Sequence, residues 1–202
     1  MLGAAVLLSV CTSLAEDSTN APVNLRLEGP PSTSKAQASP CTNWNVGVIL
    51  GAGFGVAAMG TEIAHDLATA TIHAGKLLET EHPFFRHIEL GGELWGGGQY
   101  HPESAYVLGL TPVLRYHFLP KARFTPFVDG GAGVTATDIM HPDLSTTFEF
   151  NLQVGAGFHW TLRKDLALTF QARYLHISNA GIETPNNGVN SFLFSAGVTR
   201  FF

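Results

Sequence analysis

The feature that most constrains this chain is a period-two alternation of apolar and polar residues, sustained in long stretches from Trp44 to Phe202. Successive side chains of a strand point to opposite faces, so each stretch builds one oily and one polar face. From Thr147 to Trp160 one parity carries Phe148, Phe150, Leu152, Val154, Ala156, Phe158 and Trp160. The other carries Thr147, Glu149, Asn151, Gln153, Gly155, Gly157 and His159. Leu166 to His176 and Tyr106 to Phe118 repeat the pattern. These stretches run about 11–14 residues, beyond the usual strand of about 5–6. They match a tilted membrane-crossing strand of about 9–11 residues with its ends. No apolar run reaches the roughly 18–20 residues that a membrane helix needs.

Composition points the same way. Charged residues are 13% of the 202 positions, near half the usual share, which excludes a disordered chain and an ordinary soluble surface. The net charge of -5 leaves no basic field to hold nucleic acid. Eight segments are expected, at 44–57, 66–78, 85–97, 105–118, 123–136, 147–160, 165–177 and 190–202. An even number closes an antiparallel up-and-down barrel and removes the sheet edges that lipid does not tolerate. Connections at Leu119–Ala122 and Thr161–Lys164 are short, and those at Gly98–Ser104, Thr137–Thr146 and Ile177–Val189 are longer. That is the asymmetry of periplasmic turns and outer loops, and it puts both termini on the periplasmic side. Trp160, Tyr174, Tyr116 and Phe118 fit aromatic girdles at strand ends. The fold expected is an all-β, eight-stranded transmembrane barrel over residues 44–202. Periodicity does not separate it from a soluble lipid-carrying barrel; strand length, aromatic ends and an export signal favour the membrane barrel.

That signal is the apolar run Leu2–Cys11 followed by Ser13-Leu14-Ala15, read as a signal peptide at 1–15. A buried first strand, or lipoprotein cleavage at Cys11, fits the pattern less well. Cleavage leaves Cys41 as a lone thiol, so no disulfide framework follows. Residues 16–43, rich in Ser, Thr, Pro and Ala, read as a flexible leader.

His87, Glu89, Glu93, Arg115, Glu149 and Arg173 have interior parity and are expected to fill a narrow lumen with ion pairs. His65, Asp66, His82, His101 and His141 lie in connections and are expected to be solvated, with no metal-binding spacing. Gly51, Gly53 and Gly55 form a GxGxG run inside a strand, which suits close backbone approach rather than a dinucleotide site.

One polar pair breaks the pattern. His176 and Ser178 share a strand face with Phe170, Ala172 and Tyr174, the face assigned to lipid, at the outer end of the seventh segment. Asn190 opens the eighth segment on the face of Phe192 and Phe194. A hydroxyl, an imidazole and an orienting group are the parts of nucleophilic acyl transfer, placed at headgroup level. Amide donors from Asn179, Gly181 or Asn186 would stabilise the oxyanion. Such a pair is also common by chance, and Ser-Asn-Ala-Gly and Pro-Asn-Asn-Gly read equally as turn chemistry.

The motif Arg173-Tyr174-x-His176-x-Ser178-Asn179-Ala180-Gly181-Ile182, then Pro185-Asn186-x-Gly188-x-Asn190, resembles the signature of the lipid A 3-O-deacylase family. Thr111-Pro112-x-Leu114-Arg115-Tyr116 and Pro126–Gly133 extend the likeness. The resemblance implies an esterase of the bacterial outer membrane that needs no cofactor and acts on lipid A in the outer leaflet. Ser178 matches the nucleophile and His176 the base. Asn179 and Asn186 match asparagines associated with the site. The family's glutamate falls at Asn190, which is the departure; Glu183, in the preceding loop, is the other acid in reach. A non-catalytic structural or adhesion barrel that has lost the acid is the alternative. The terminal Phe202 resembles the signal read by the barrel assembly machinery.

Overall fold

A computed structural model describes residues 43–119, 122–140 and 142–202. The signal peptide expected at 1–15, nearly all of the leader expected at 16–43, and His141 lie outside the described residues. Eight strands follow one another: β1 (Trp44–Gly55), β2 (Asp66–Leu77), β3 (Ile88–His101), β4 (Ala105–His117), β5 (Phe124–Thr137), β6 (Phe148–Arg163), β7 (Leu166–Ser178) and β8 (Val189–Phe201). Each pairs antiparallel with the next, and β8 returns to β1 to close the barrel. Two expected boundaries shift. The stretch 98–104 was expected to be a long loop, but β3 continues to His101 and leaves three residues before β4. Gly96, Gly97 and Gly98 are turn formers by composition, yet each pairs across to β4 and stays in the ladder. The connection from β2 to β3, on the side expected to have short turns, runs ten residues and carries a short 3-10 helix at Phe85–His87.

The faces sort as the alternation requires. Val48, Leu50, Leu94, Leu110, Leu152, Val154 and Phe194 are more than half exposed on the outside, a surface that only acyl chains would cover favourably. The interior has two parts. Its inner half is polar: Arg173 donates to Asp129 (2.8 Å), Gln153 (2.8 Å) and Glu93, and Arg115 pairs with Asp129 at 3.0 Å. Glu89 accepts from Asn45, His73 and His117 at 2.7–2.8 Å. Two residues expected in this network sit elsewhere. His87 lies in the short helix, where its ring bonds the His117 carbonyl (2.8 Å), and Glu149 accepts from Thr146 near the outer rim (2.6 Å).

The outer half holds an apolar cluster, in which Leu67, Trp95, Val107, Leu175, Ile177, Val189 and Leu193 pack with Ile139 and Leu144 of the β5–β6 loop, beside buried polar side chains such as Gln99, Thr137 and Asn151. Ile177 and Val189 therefore anchor, from inside, the segments that carry His176, Ser178 and Asn190 on the outer parity. Close strand approach explains Gly53. A Cβ there would lie 1.8 Å from the Phe192 carbonyl oxygen of β8, so only glycine closes the β1–β8 seam at this height.

Both faces are testable by unfolding in lipid vesicles. Arg173→Met strands two buried carboxylates and is expected to lower stability by about 3–5 kcal/mol. Leu110→Arg, midway along β4 on the outer face, is expected to lower it by about 2–4 kcal/mol. A neutral effect of Leu110→Arg would contradict a lipid-facing exterior.

Candidate active site

The register of β6, β7 and β8 determines what meets at the outer rim. His176 lies opposite Asn190 on β8 and Leu152 on β6, and Ser178 lies opposite Phe150. His176 and Ser178 project outward from the last turn of β7, half-buried, above the exposed Phe170 and Ala172 of the same face. Asn190 also has outward parity, but the β1–β2 loop lies over it and leaves it fully buried.

The three groups form a chain. His176 Nδ1–H donates to Asn190 Oδ1 at 2.8 Å. Nε2, left with its lone pair, accepts from the Ser178 hydroxyl at 3.1 Å. Asn190 Oδ1 also accepts the Tyr174 hydroxyl, while Nδ2 donates to the Ala58 carbonyl (2.8 Å) and to Thr61 Oγ1. A base bonded to a hydroxyl, and itself held by a third group, is the geometry of an activated nucleophile. Glu183 does not take the third place. It is exposed in the β7–β8 loop, and its part in the site is a main-chain carbonyl that accepts Asn179 Nδ2 (3.0 Å).

The expected oxyanion donors divide. Asn179 is fully buried and spends its groups on the loop: its N–H goes to Asn186 Oδ1 (2.9 Å) and its Nδ2 to Ser145 and Glu183. Gly181 N–H goes to Asn179 Oδ1 (2.9 Å), closing the turn after β7. Asn179 and Gly181 are thus loop-forming residues rather than free donors. Asn186 differs. Its oxygen holds the N–H next to Ser178, and its amide nitrogen is uncommitted among the described residues. Gly188 is required where β8 begins: its φ is +79°, and a Cβ would meet His176 Cε1 at 2.8 Å.

Several contributors were not legible from spacing. Tyr174 read only as a lipid-facing aromatic. Ala58 and Thr61 sit in a loop more than 120 residues from Asn190. His65, expected to be solvated, is 3% exposed and bonds Gln99 and Asp143. Asp143 resists the rise that burial would cause, because the Glu62 N–H, His65 and the Ile63 N–H hold its carboxyl below the usual carboxylate range. Among the described residues no cluster of ligands could hold a metal ion.

A family model described as lipid A 3-O-deacylase (PagL) matches residues 75–199, a span that contains the whole β7–β8 site. Lipid A deacylase PagL of Pseudomonas aeruginosa is 29% identical over 107 residues, 52% of this chain and 58% of that relative. Lipid A deacylase PagL of Bordetella bronchiseptica is 30% identical over 106 residues, 50% of this chain and 55% of that relative. The chain thus spans somewhat over half the length of the curated relatives it matches. Among solved structures, Neisserial surface protein A superposes with a TM-score of 0.61 at 17% identity, covering 80% of this chain and 98% of that one. The outer membrane enzyme PagL superposes at 0.56 and 19% identity, covering 74% and 97%. At these identities both likenesses concern the fold.

Gly188→Ala tests the geometry directly. The left-handed backbone is expected to cost about 1–2 kcal/mol in urea unfolding. The added methyl should push the His176 ring off Ser178, so that a crystal structure of the variant shows Nε2 to Oγ beyond hydrogen-bond distance. An unmoved ring would contradict the packing described.

Proposed function

The chain belongs to the lipid A 3-O-deacylase family, and from that premise we propose that it is an esterase that hydrolyses the 3-O-linked acyl chain of lipid A. The barrel resides in the bacterial outer membrane, with lipopolysaccharide of the outer leaflet as its substrate and the barrel assembly machinery as its inserting partner. The observation that carries the reading is the Ser178–His176–Asn190 chain on the outside of the barrel, where a lipid ester can reach it.

In this mechanism Ser178 Oγ attacks the ester carbonyl carbon as His176 Nε2 takes the hydroxyl proton. The tetrahedral oxyanion accepts from the Asn186 amide nitrogen. Collapse breaks the bond to the sugar oxygen, which leaves with the proton from Nε2. The acyl-serine is then attacked by water, His176 again taking and returning a proton, and the fatty acid departs. No cofactor takes part. Asn190 Oδ1 holds Nδ1–H and fixes which nitrogen serves as base. As an amide it offers a dipole, not a full charge, to the imidazolium, so turnover is expected to be slow. In a serine protease, replacing the acid by its amide lowers kcat by about 10⁴ because the histidine is left in the wrong tautomer; here the accepting Oδ1 keeps the right one, and only the charge is lost.

Mass spectrometry of lipid A in vesicles containing the purified protein tests the reading. The wild-type chain is expected to release one 3-hydroxyacyl group. Ser178→Ala should abolish release with the barrel still folded, and Asn186→Ala should lower kcat by about 10²–10³. Full activity in Ser178→Ala overturns the assignment. The amide at 190 favours a second reading, a structural or adhesion barrel that has lost its acid. An inactive wild type that stays inactive as Asn190→Glu would support that one instead.

A further inference from the structure

An amide in the third position has a problem that a carboxylate does not. A carboxylate presents an accepting oxygen whichever way it turns. An amide turned end for end presents NH₂ to the imidazole. Nδ1 would then have to accept, the ring hydrogen would move to Nε2, and Ser178 would lose its base. Nothing at the site end of Asn190 prevents this. His176 can carry its hydrogen on either nitrogen, and the Tyr174 hydroxyl that donates to Oδ1 can equally accept from NH₂.

The other end does decide. Asn190 Nδ2 faces the Ala58 carbonyl at 2.8 Å, a group that only accepts. Its second partner, Thr61 Oγ1, gives its own hydrogen to the Gly188 carbonyl at 2.8 Å and so must accept as well. Both partners lie on the β1–β2 loop. That loop is held by Asp143 of the β5–β6 loop, whose fully buried carboxylate accepts the Glu62 N–H (2.7 Å), the Ile63 N–H (3.1 Å) and His65 Nε2 (2.9 Å). The main-chain carbonyl of Asp143 meanwhile accepts the N–H groups of Asn187 (2.9 Å) and Gly188 (3.1 Å). One residue thus ties the β1–β2 loop to the loop that leads into Asn190.

We propose that Thr61 and Asp143 are positioning residues: they clamp the β1–β2 loop over Asn190, fix the orientation of its amide, and so select the tautomer of His176 in which Nε2 is a base. This deepens the hydrolase reading and rests on it for its catalytic consequence, but the tautomer itself is observable without any turnover. The clamp also accounts for an amide at this position. A carboxylate would set an oxygen against the Ala58 carbonyl, whereas an amide donates to it.

Nitrogen-15 NMR of the histidine-labelled full chain in micelles, paired with lipid A deacylation kinetics, tests the clamp. The wild type should show His176 with its hydrogen on Nδ1. Thr61→Val and Asp143→Asn should each shift a large fraction of the ring to the Nε2–H form and lower kcat at least tenfold, with KM changed less than twofold. Thr61→Ser, which keeps the hydroxyl, should restore both readouts. In an Asn190→Asp background, whose two ends are equivalent, Thr61→Val should leave the tautomer unchanged. An Nδ1–H ring that persists in folded Thr61→Val and Asp143→Asn overturns the proposal. A wild type with no hydrolysis but a tautomer that responds to Thr61→Val supports the clamp and removes the hydrolase reading instead.

Discussion

In a lipid interior every backbone N–H and C=O must find its partner within the chain, and the architecture follows from that requirement. An open sheet would leave two edges unpaired. Eight strands whose last pairs with the first leave none. Closure then dictates the alternation, because each strand has one side toward acyl chains and one toward a narrow lumen. The lumen of so small a barrel is filled, by charged pairs in its inner half and by an apolar cluster with buried amides and hydroxyls beside it in its outer half. Polar groups on the outer wall are tolerated only near its ends, where water and headgroups begin.

The site uses that tolerance. His176 and Ser178 continue the lipid-facing row of β7 into the rim, and Asn190 meets them from β8. Behind them the apolar cluster around Ile177 and Val189 packs against the two strand ends from inside. Above them three loops converge through Asp143 and Thr61. The barrel supplies strand register, and the loops supply the orientation of a single amide. A carboxylate in the third place would need no such orientation; on the proposal above, the amide of Asn190 does.

Much of the fold was legible because parity is a strict code. A slip of one residue would turn Phe150, Leu152 and Val154 into the lumen, so the outward set on β6 could be read directly. The outward face of His176 and Ser178 followed from the same count. The partners inside the barrel were less legible. Asp129 and His73 have interior parity, but which arginine or glutamate each meets depends on shear around the closed sheet. The loops were not legible at all. His65 meets Asp143 across 78 residues of sequence and Thr61 meets Asn190 across 129, and a histidine in a connection reads as solvated until the loop that covers it is seen. Gly98 misled for a local reason: ladder pairing with Tyr106 of β4 overrides a residue type that favours turns.

The account centres on a serine that faces acyl tails and is primed by its histidine. Covalent capture measures this most directly. An acyl phosphonate ester presented in lipid vesicles should modify the folded wild-type chain at one residue, Ser178, and the adduct should vanish in His176→Gln. An adduct at another residue, or equal labelling of Ser178 without the histidine, would contradict it.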